Sequence, residues 1–578
     1  MMRVWNRWQD WWQGSEGQAL VKELKEVDEV VREVGEEAYN KAVDMIWDVG
    51  EMMIYRRKLQ NADDWPTWRE AAKTLDNLTG KDEWKKKDKS EHYDYELLRR
   101  RYISMKQLRE SDDIPALVHH LRSGLVRGLG GSLNPSLYTF SLTGTKNLIE
   151  VYQDEVCKSL MHISRSGKFD MDSKMKFFSE SRYTFGKTAL LLSGGGGLGM
   201  YHLGVIKALY DQNLLPRIIA GASAGSIVAS LICTTGLDNM HKVFEPGFMK
   251  YGPFEGREKG SVMRKIKRFF KTGVLMDIRI LKHFVRENIG EVTFMDAYEK
   301  TGFILNVTVS EYNQHSDYRL LNYLTAPHVL IWSAVLASCA IPYVFEPVEL
   351  MCKDHKGQTV PYHLAGLKFI DGSIKADLPM QRLSELFNVN AFIVSQTNPW
   401  VIPLLSSDDG GGTWGDSMQF KIFKVIKRLA LMEFKHRVAQ MNTVGWMNWL
   451  TRGLEIFTQE YRGHVTIWPV PSLRDFKNIL TNPSEDDIQR CITVSNRRTF
   501  PKMNLLKSIL GIEKTLDLCY SQLKLGMMRR SLQVTHPVFI GRIDSVALKI
   551  GDSELKAHTK HLSENQKRKE LEESHDDY

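Results

Sequence analysis

The chain has 578 residues, more than one hydrophobic core usually organises, so we expect at least two structural units. Its 43% hydrophobic and 26% charged residues are ordinary for a globular protein. The net charge of +8 comes without a nucleic-acid-binding motif, so we expect no nucleic-acid partner. The six scattered cysteines exclude a dense disulfide framework and fit a reducing, cytosol-facing location.

Residues 1–40 are predicted to form a helical N-terminal extension. Residues 1–12 hold four tryptophans on one side of a short helix, near two arginines. Because tryptophan prefers the boundary between water and lipid, this helix fits an interfacial anchor, and a helix packed on the protein fits equally well. The segment lacks the unbroken apolar run of a secretory signal, so we expect a chain that is not secreted.

A helical domain is expected next, over residues 41–180. Apolar residues recur every three or four positions from Leu20 onward, and residues 20 to about 130 are mainly helical by this pattern. Asp64, before Trp65 and Pro66, indicates a capped helix start, and Gly80 indicates its end.

The pattern changes near residue 187, where short β-branched or leucine-rich runs begin to alternate with helical segments. Predicted strands lie at residues 188–193, 217–220, 302–309, 367–370, 390–395 and 464–468. This alternation predicts an α/β domain with a mostly parallel sheet, placed at residues 181–400. The longest apolar stretch, 329–345, is interrupted by two serines and a proline, so we expect a buried helix leading into a strand.

The remaining segments carry weaker signals. Residues 262–271 form a basic amphipathic stretch that fits either contact with anionic lipid or a surface helix packed on the sheet. Residues 401–552 are predicted to be a mainly helical C-terminal extension. Residues 553–578 are charged and poor in apolar residues, so we expect a disordered tail.

Two glycine-framed motifs stand one strand apart. The run Gly194–Gly199 follows the first predicted strand and offers backbone N–H groups to an anion. A dinucleotide-binding turn is the rival interpretation, but it requires an acidic residue about twenty positions later, and Asp211 comes too early. The second motif, Gly221-Ala222-Ser223-Ala224-Gly225, lies between a strand and a helix and presents Ser223 on a sharp turn. Together they predict an oxyanion hole and a nucleophile.

A third signal is Asp371, at the end of an apolar strand and followed by Gly372. Strand ends in α/β sheets are where catalytic groups gather. Asp371 is therefore the candidate base for Ser223.

In this order the three elements resemble the patatin-like phospholipase family, whose serine–aspartate dyad lacks a histidine. The resemblance implies a three-layer α/β/α catalytic domain that needs no cofactor or metal. It also implies that Ser223 is the nucleophile and Asp371 the base. The oxyanion-hole residues implied are Gly195, Gly196 and Gly197, and the remaining motif glycines are Gly194, Gly199, Gly221, Gly225 and Gly372. Ser373 stands where many members have glycine or alanine.

The chain resembles one branch more closely, the triacylglycerol lipases that mobilise lipid-droplet fat. The segments that carry this likeness are 322–329, 337–342 and 387–396. The branch implies an acyl-ester lipid substrate, long-chain triacylglycerol first of all, and a peripheral place on the cytoplasmic side of a lipid droplet or membrane. It leaves the oligomeric state open. No histidine has an aspartate five positions later, so the acyltransferase motif found in some members is absent.

Several alternatives remain open at this point. A conventional triad would take its histidine from His436, His464 or His536, all of which follow Asp371. His202 is expected to pack near the site without taking part in the chemistry. The other functions that fit are a phospholipase A or lysophospholipase and a catalytically silent lipid-surface binding protein.

Overall fold

A computed structural model describes residues 50–249, 252–254, 268–271, 273–312, 318–363, 366–374, 376–402 and 461–535, with five isolated positions between 429 and 440. By internal contacts the chain divides into two units, Met1–Trp84 and Lys85–Tyr578. The tryptophans of residues 1–12, most of the basic stretch 262–271 and the tail 553–578 lie outside the described residues. The domain borders expected from the sequence stay predictions.

In the first unit, α1 (Trp65–Leu78) begins and ends where the sequence predicts. The Asp64 carboxylate accepts a hydrogen bond from the Thr67 N–H at 2.9 Å, which caps the helix. Pro66 occupies the first turn, and Gly80 follows the helix with a φ of 65°. The rings of Trp65 and Trp68 stack 5.1 Å apart.

Helices α2 to α7 precede the sheet. Their bounds are Lys81–Lys86, Tyr95–Glu110, Ile114–Arg122, Ser136–Thr139, Asn147–Arg165 and Met171–Phe185. Asp94, Asp113 and Asp170 cap α3, α4 and α7 by accepting backbone N–H groups. This helical segment leads directly into the first strand.

The second unit is built on a mostly parallel sheet of eight strands, as predicted. The strands are β1 (Lys187–Leu192), β2 (Ile218–Gly221), β3 (Ile304–Glu311), β4 (Arg319–Leu321), β5 (Val348–Glu349), β8 (Lys368–Asp371), β9 (Val389–Ser395) and β10 (Val465–Ile467). Their order is β10-β9-β1-β2-β3-β8-β5, with β4 paired to β3. The first five strands of this order run parallel to one another, whereas the pairs β3–β4, β3–β8 and β8–β5 are antiparallel. β6 (Met351–Lys353) and β7 (Thr359–Pro361) form a separate hairpin.

The helices that follow the first strand are α8 to α17. Their bounds are Tyr201–Asp211, Ala224–Thr235, Met240–Val243, Ile278–Ile289, Phe294–Thr301, Ile331–Ser338, Met380–Phe387, Leu473–Lys477, Glu485–Thr499 and Met503–Thr535. α14 packs on one face of the sheet, where Leu383 joins Leu191 and Ile218 in a buried core. Because strand side chains alternate between faces, Leu190 points to the other side. α9 lies against β1, β2 and β3 there. The predicted α/β/α arrangement is thereby confirmed.

The long apolar stretch is a buried helix, as predicted. All of α13 (Ile331–Ser338) is buried, and the chain then turns before it reaches the short strand β5. Among the described residues, no helix is both long and apolar enough to span a bilayer.

Candidate active site

Ser223 lies on a strained turn between β2 and α9. Its backbone has φ 50° and ψ −123°, which is unusual for a residue with a side chain. Its N–H donates to Ser338 Oγ at 3.0 Å, and α9 begins at the next residue. A Cβ added at Gly225 would lie 2.2 Å from the Leu192 carbonyl oxygen, so the helix can pass β1 only with glycine there. The motif therefore folds as the nucleophile elbow that the sequence predicts.

Asp371 ends β8 beside this turn. Strand β8 runs antiparallel to β3, with Asp371 opposite Val309, and the Asp371 N–H donates to the Ala340 carbonyl at 3.1 Å. Its Oδ1 accepts from the Ser373 N–H at 2.8 Å. Its buried Oδ2 has no hydrogen bond of standard geometry among the described residues.

The environment of Asp371 tunes its acidity. Burial raises the pKa of Asp371 to about 6, against hydrogen bonding from Ser373 and from the nearby Ser223 hydroxyl, which lowers it. A carboxylate in this range is a stronger base than an exposed aspartate and is still ionised at neutral pH. The structure therefore brings together the serine and the aspartate that the sequence selected.

The glycine loop is held at both ends by its backbone N–H groups. Gly194 donates to Asp377 Oδ1 at 2.7 Å, and Gly197 donates to the Ile479 carbonyl oxygen at 2.7 Å. Within the described part of the chain, no hydrogen bond engages the N–H of Gly195 or Gly196. Of the three glycines that the sequence proposes as an oxyanion hole, these two thus keep an N–H available for a ligand.

Close contacts explain the glycine at one of these positions. Gly196 has a φ of 56°, and a Cβ there would lie 2.9 Å from Ile479 Cγ2 and 3.0 Å from the Ile479 carbonyl oxygen. Only glycine combines this left-handed backbone with so near an approach. The loop and the Ile479 segment therefore fit together without room for a side chain.

Asp377 is a second buried carboxylate that sequence reasoning missed. Burial raises its pKa to about 7, and the hydrogen bond from Gly194 lowers it, while the charge of Asp371 adds a smaller increase. Its partner Gly194 is far away in sequence, so no local motif marks it. Asn398 Nδ2 also donates to Asp377 Oδ2, at 3.5 Å.

His202 supports the start of the glycine loop. Its Nε2 lies 2.9 Å from the Ser193 carbonyl oxygen, so this nitrogen carries the proton and donates it. The Ser395 hydroxyl is 2.7 Å from Nδ1 and donates to it. Burial lowers the pKa of His202 to about 4, so the ring is neutral near pH 7. One ring nitrogen is engaged by a backbone carbonyl and the other by a side-chain hydroxyl, which agrees with a packing role.

The other histidines do not complete a triad within the described residues. His464 precedes β10 and accepts a hydrogen bond from the Phe392 N–H at 3.1 Å. It therefore lies at the amino ends of the parallel strands, whereas Ser223 follows the carboxyl end of β2. His436 is exposed and bonds Gln440 at 2.9 Å. His536 lies outside the described residues.

No group of three or more His, Cys, Asp or Glu side chains in the described part of the chain is arranged to hold a metal ion. All six cysteines are free thiols. The expectation that the site needs no cofactor stays a prediction.

Comparisons with known proteins identify the family. A model described as "Patatin-like phospholipase" matches residues 190–383, and one described as "Domain of unknown function (DUF3336)" matches residues 45–183. Triacylglycerol lipase SDP1L of Arabidopsis thaliana is 37% identical over 83% of this chain, and the chain spans 60% of that protein's length. Triacylglycerol lipase ptl2 of Schizosaccharomyces pombe is 33% identical over 86% of this chain and 80% of its own length. Triacylglycerol lipase ptl3 of the same yeast is 32% identical over 81% of this chain and 97% of its own length. The chain therefore belongs to the patatin-like phospholipase family and falls among its members named triacylglycerol lipases.

Proposed function

We propose that this protein hydrolyses long-chain acyl esters at a lipid surface, with triacylglycerol as its main substrate and diacylglycerol and a free fatty acid as products. The observation that carries the proposal is the buried Asp371 carboxylate placed beside the Ser223 hydroxyl, next to a glycine loop. The names of the relatives support triacylglycerol as the substrate.

The first half of the reaction forms an acyl enzyme. Asp371 accepts the hydroxyl proton while Ser223 Oγ attacks the ester carbonyl carbon. The negative charge on the carbonyl oxygen is received by free N–H groups of the glycine loop, those of Gly195 and Gly196. The ester C–O bond then breaks, and the proton passes from Asp371 to the departing alcohol oxygen.

The second half restores the enzyme. A water molecule gives a proton to Asp371 and attacks the acyl carbon, and the same N–H groups receive the charge. Collapse of this intermediate releases the fatty acid and returns the proton to Ser223. The N–H of Ala224, at the start of α9, is a further donor of the kind found beside such nucleophiles.

The substrate sets the place of action. Triacylglycerol is insoluble in water, so we place the enzyme on the cytoplasmic side of a lipid droplet or membrane, as a peripheral protein. Phospholipase A activity is the second candidate, because the matched family is described as "Patatin-like phospholipase" and the same dyad would perform that hydrolysis unchanged.

The test compares fatty-acid release from emulsified triacylglycerol and from phosphatidylcholine vesicles. We expect release mainly from triacylglycerol, lost in Ser223→Ala and in Asp371→Asn while both variants stay folded. Ser230→Ala is the matched control, since Ser230 lies on the same helix and its buried hydroxyl has no hydrogen-bond partner in the described part of the structure. Release mainly from phosphatidylcholine would move the assignment to phospholipase, and release that persists in Asp371→Asn would reject the dyad.

A further inference from the structure

We propose that Asp377 is a positioning residue for ester hydrolysis, which holds the N–H of Gly194 so that the N–H groups of Gly195 and Gly196 point at the reacting carbonyl oxygen. This inference rests on the proposed function, because it assigns the support of the same oxyanion loop. Asp377 itself takes no proton from the substrate and makes no contact with the acyl chain in this role.

The contacts around Gly194 carry the argument. Asp377 Oδ1 accepts the Gly194 N–H at 2.7 Å, a short hydrogen bond inside the protein. A Cβ at Gly194 would lie 3.3 Å from Ser223 Cβ and 3.6 Å from Asp377 Oδ1. Gly194 is thus packed between the nucleophile and the carboxylate, so a shift at Gly194 changes the distance from the loop to Ser223.

A second anchor makes the loop rigid. Gly197 lies three residues beyond Gly194, and its N–H donates to the Ile479 carbonyl oxygen. The stretch between Gly194 and Gly197 is therefore held at both ends. Gly195 and Gly196 lie between these anchors. Without Asp377 the Gly194 N–H loses its acceptor, and the Gly194 carbonyl keeps only longer hydrogen bonds, from Ser193 Oγ at 3.2 Å and Thr397 Oγ1 at 3.4 Å. An oxyanion hole works only when its donors are already in position.

The cost of keeping Asp377 buried also points to a role in the site. Its side chain is 1% exposed, and burial of a carboxyl group is unfavourable unless it is hydrogen-bonded. Asn398 donates to its other oxygen at 3.5 Å, a weak contact. The bond from Gly194 is the shorter of these two hydrogen bonds, and it is directed at the glycine loop.

The experiment measures kcat and KM on a soluble short-chain p-nitrophenyl ester, which needs no lipid surface. Asp377→Ala removes the acceptor, and Asp377→Asn keeps an oxygen that can accept from Gly194. A displacement of about 1 Å in an active site can cost about 100-fold in rate, so we expect a loss of about 10- to 100-fold in kcat for Asp377→Ala with little change in KM. For Asp377→Asn we expect kcat within about threefold of the wild type, because its amide oxygen can still accept the Gly194 N–H.

Glu513→Ala is the matched control. Glu513 also accepts a backbone N–H of the β1 region, that of Thr188 at 3.0 Å, but at the opposite end of the strand. We expect this control to lower the melting temperature and to leave kcat unchanged.

The outcomes separate the inference from the function on which it rests. Ser223-dependent turnover of the ester by the wild type establishes the acyl hydrolase, whatever the variants do. An Asp377→Ala protein that is folded and keeps wild-type kcat overturns the positioning role. Should Asp377→Ala not fold, Asp377→Asn decides alone: wild-type-like kcat supports the role, and a loss above about tenfold in a folded Asp377→Asn overturns it.

Discussion

Asp371 meets two opposing requirements at the scale of a single residue. In the proposed reaction it must be ionised to accept a proton from Ser223, yet its burial favours the neutral form. The raised pKa is the result of this opposition. The raised pKa makes the carboxylate basic enough for the proposed role without a histidine. It also means that activity is lost at mildly acidic pH, where Asp371 becomes protonated.

The first prediction concerns this acid sensitivity. Because Asp371 must lose its proton to act, kcat/KM on a soluble ester should fall as the pH drops through about 6, the pKa to which burial raises it. Asp377 is buried nearby and titrates in the same range, so the midpoint belongs to the pair. A midpoint near 4, the value of an exposed aspartate, would contradict the buried base.

The second prediction concerns the turn that carries the nucleophile. In Gly225→Ala the added methyl would meet the Leu192 carbonyl oxygen, which is backbone and cannot move aside cheaply. We expect a loss of about 1–3 kcal/mol in the free energy of unfolding, together with a large loss of activity. Gly167→Ala is the control, since nothing lies within 4 Å of its added Cβ. Denaturant unfolding checks both, and equal stability of the two variants would refute the close approach.

The residues of the site differ in how visible they are in the sequence. Asp371 ends a strand and Ser223 lies on the turn just after one, each within a short glycine motif, so local pattern was enough to select them. Asp377 and Ile479 each contact the loop through a hydrogen bond, to Gly194 and Gly197, which are remote in sequence. Such contacts leave no local signal, because almost any segment can supply a carbonyl or a carboxylate.

At the scale of elements, the short helix α15 braces the oxyanion loop. Asp475 on α15 accepts from the Tyr201 hydroxyl at 2.8 Å and forms an ion pair with Arg490 of α16. It also accepts from the Ser472 N–H at 2.7 Å, which closes a capping box. These contacts fix the helix just before Ile479, whose carbonyl holds Gly197.

The third prediction tests this brace. Arg490→Ala leaves the Asp475 carboxylate, 9% exposed, without its ion partner, so we expect a lower melting temperature and a kcat reduced by about three- to tenfold. Arg474→Ala is the control, because Arg474 is 71% exposed and its ion pair spans 3.5 Å. Unchanged kcat in a destabilised Arg490→Ala protein would show that the contacts of α15 do not affect the geometry of the glycine loop.

The elements themselves were largely predictable. The strands could be predicted because β-branched or leucine-rich runs indicate buried strands and glycine turns indicate their ends. The order of the strands was not predictable in the same way. β9 lies beside β1 and β10 lies beside β9, although both follow β1 late in the chain, and only tertiary packing decides that arrangement.

At the scale of the whole molecule, the open question is whether the tryptophan-rich residues 1–12 attach the protein to lipid. The fourth prediction is that deletion of residues 1–12 reduces flotation with triacylglycerol emulsions, because four tryptophans and two arginines are lost. Hydrolysis of a soluble ester should stay unchanged, since Ser223 and Asp371 are retained. Flotation equal to that of the intact protein would count against the tryptophan anchor.

The hydrogen bond between Gly197 and Ile479 also has a consequence for folding during synthesis. Ser223 and Asp371 are synthesised before Ile479, so the emerging chain carries the proposed nucleophile and base while one anchor of the proposed oxyanion loop is still missing. Domains begin to fold during synthesis, and this one must wait for a late segment to finish its catalytic loop. We therefore expect ester hydrolysis to begin only after Ile479 has been synthesised. A fragment released before α15 is complete should not hydrolyse lipid esters.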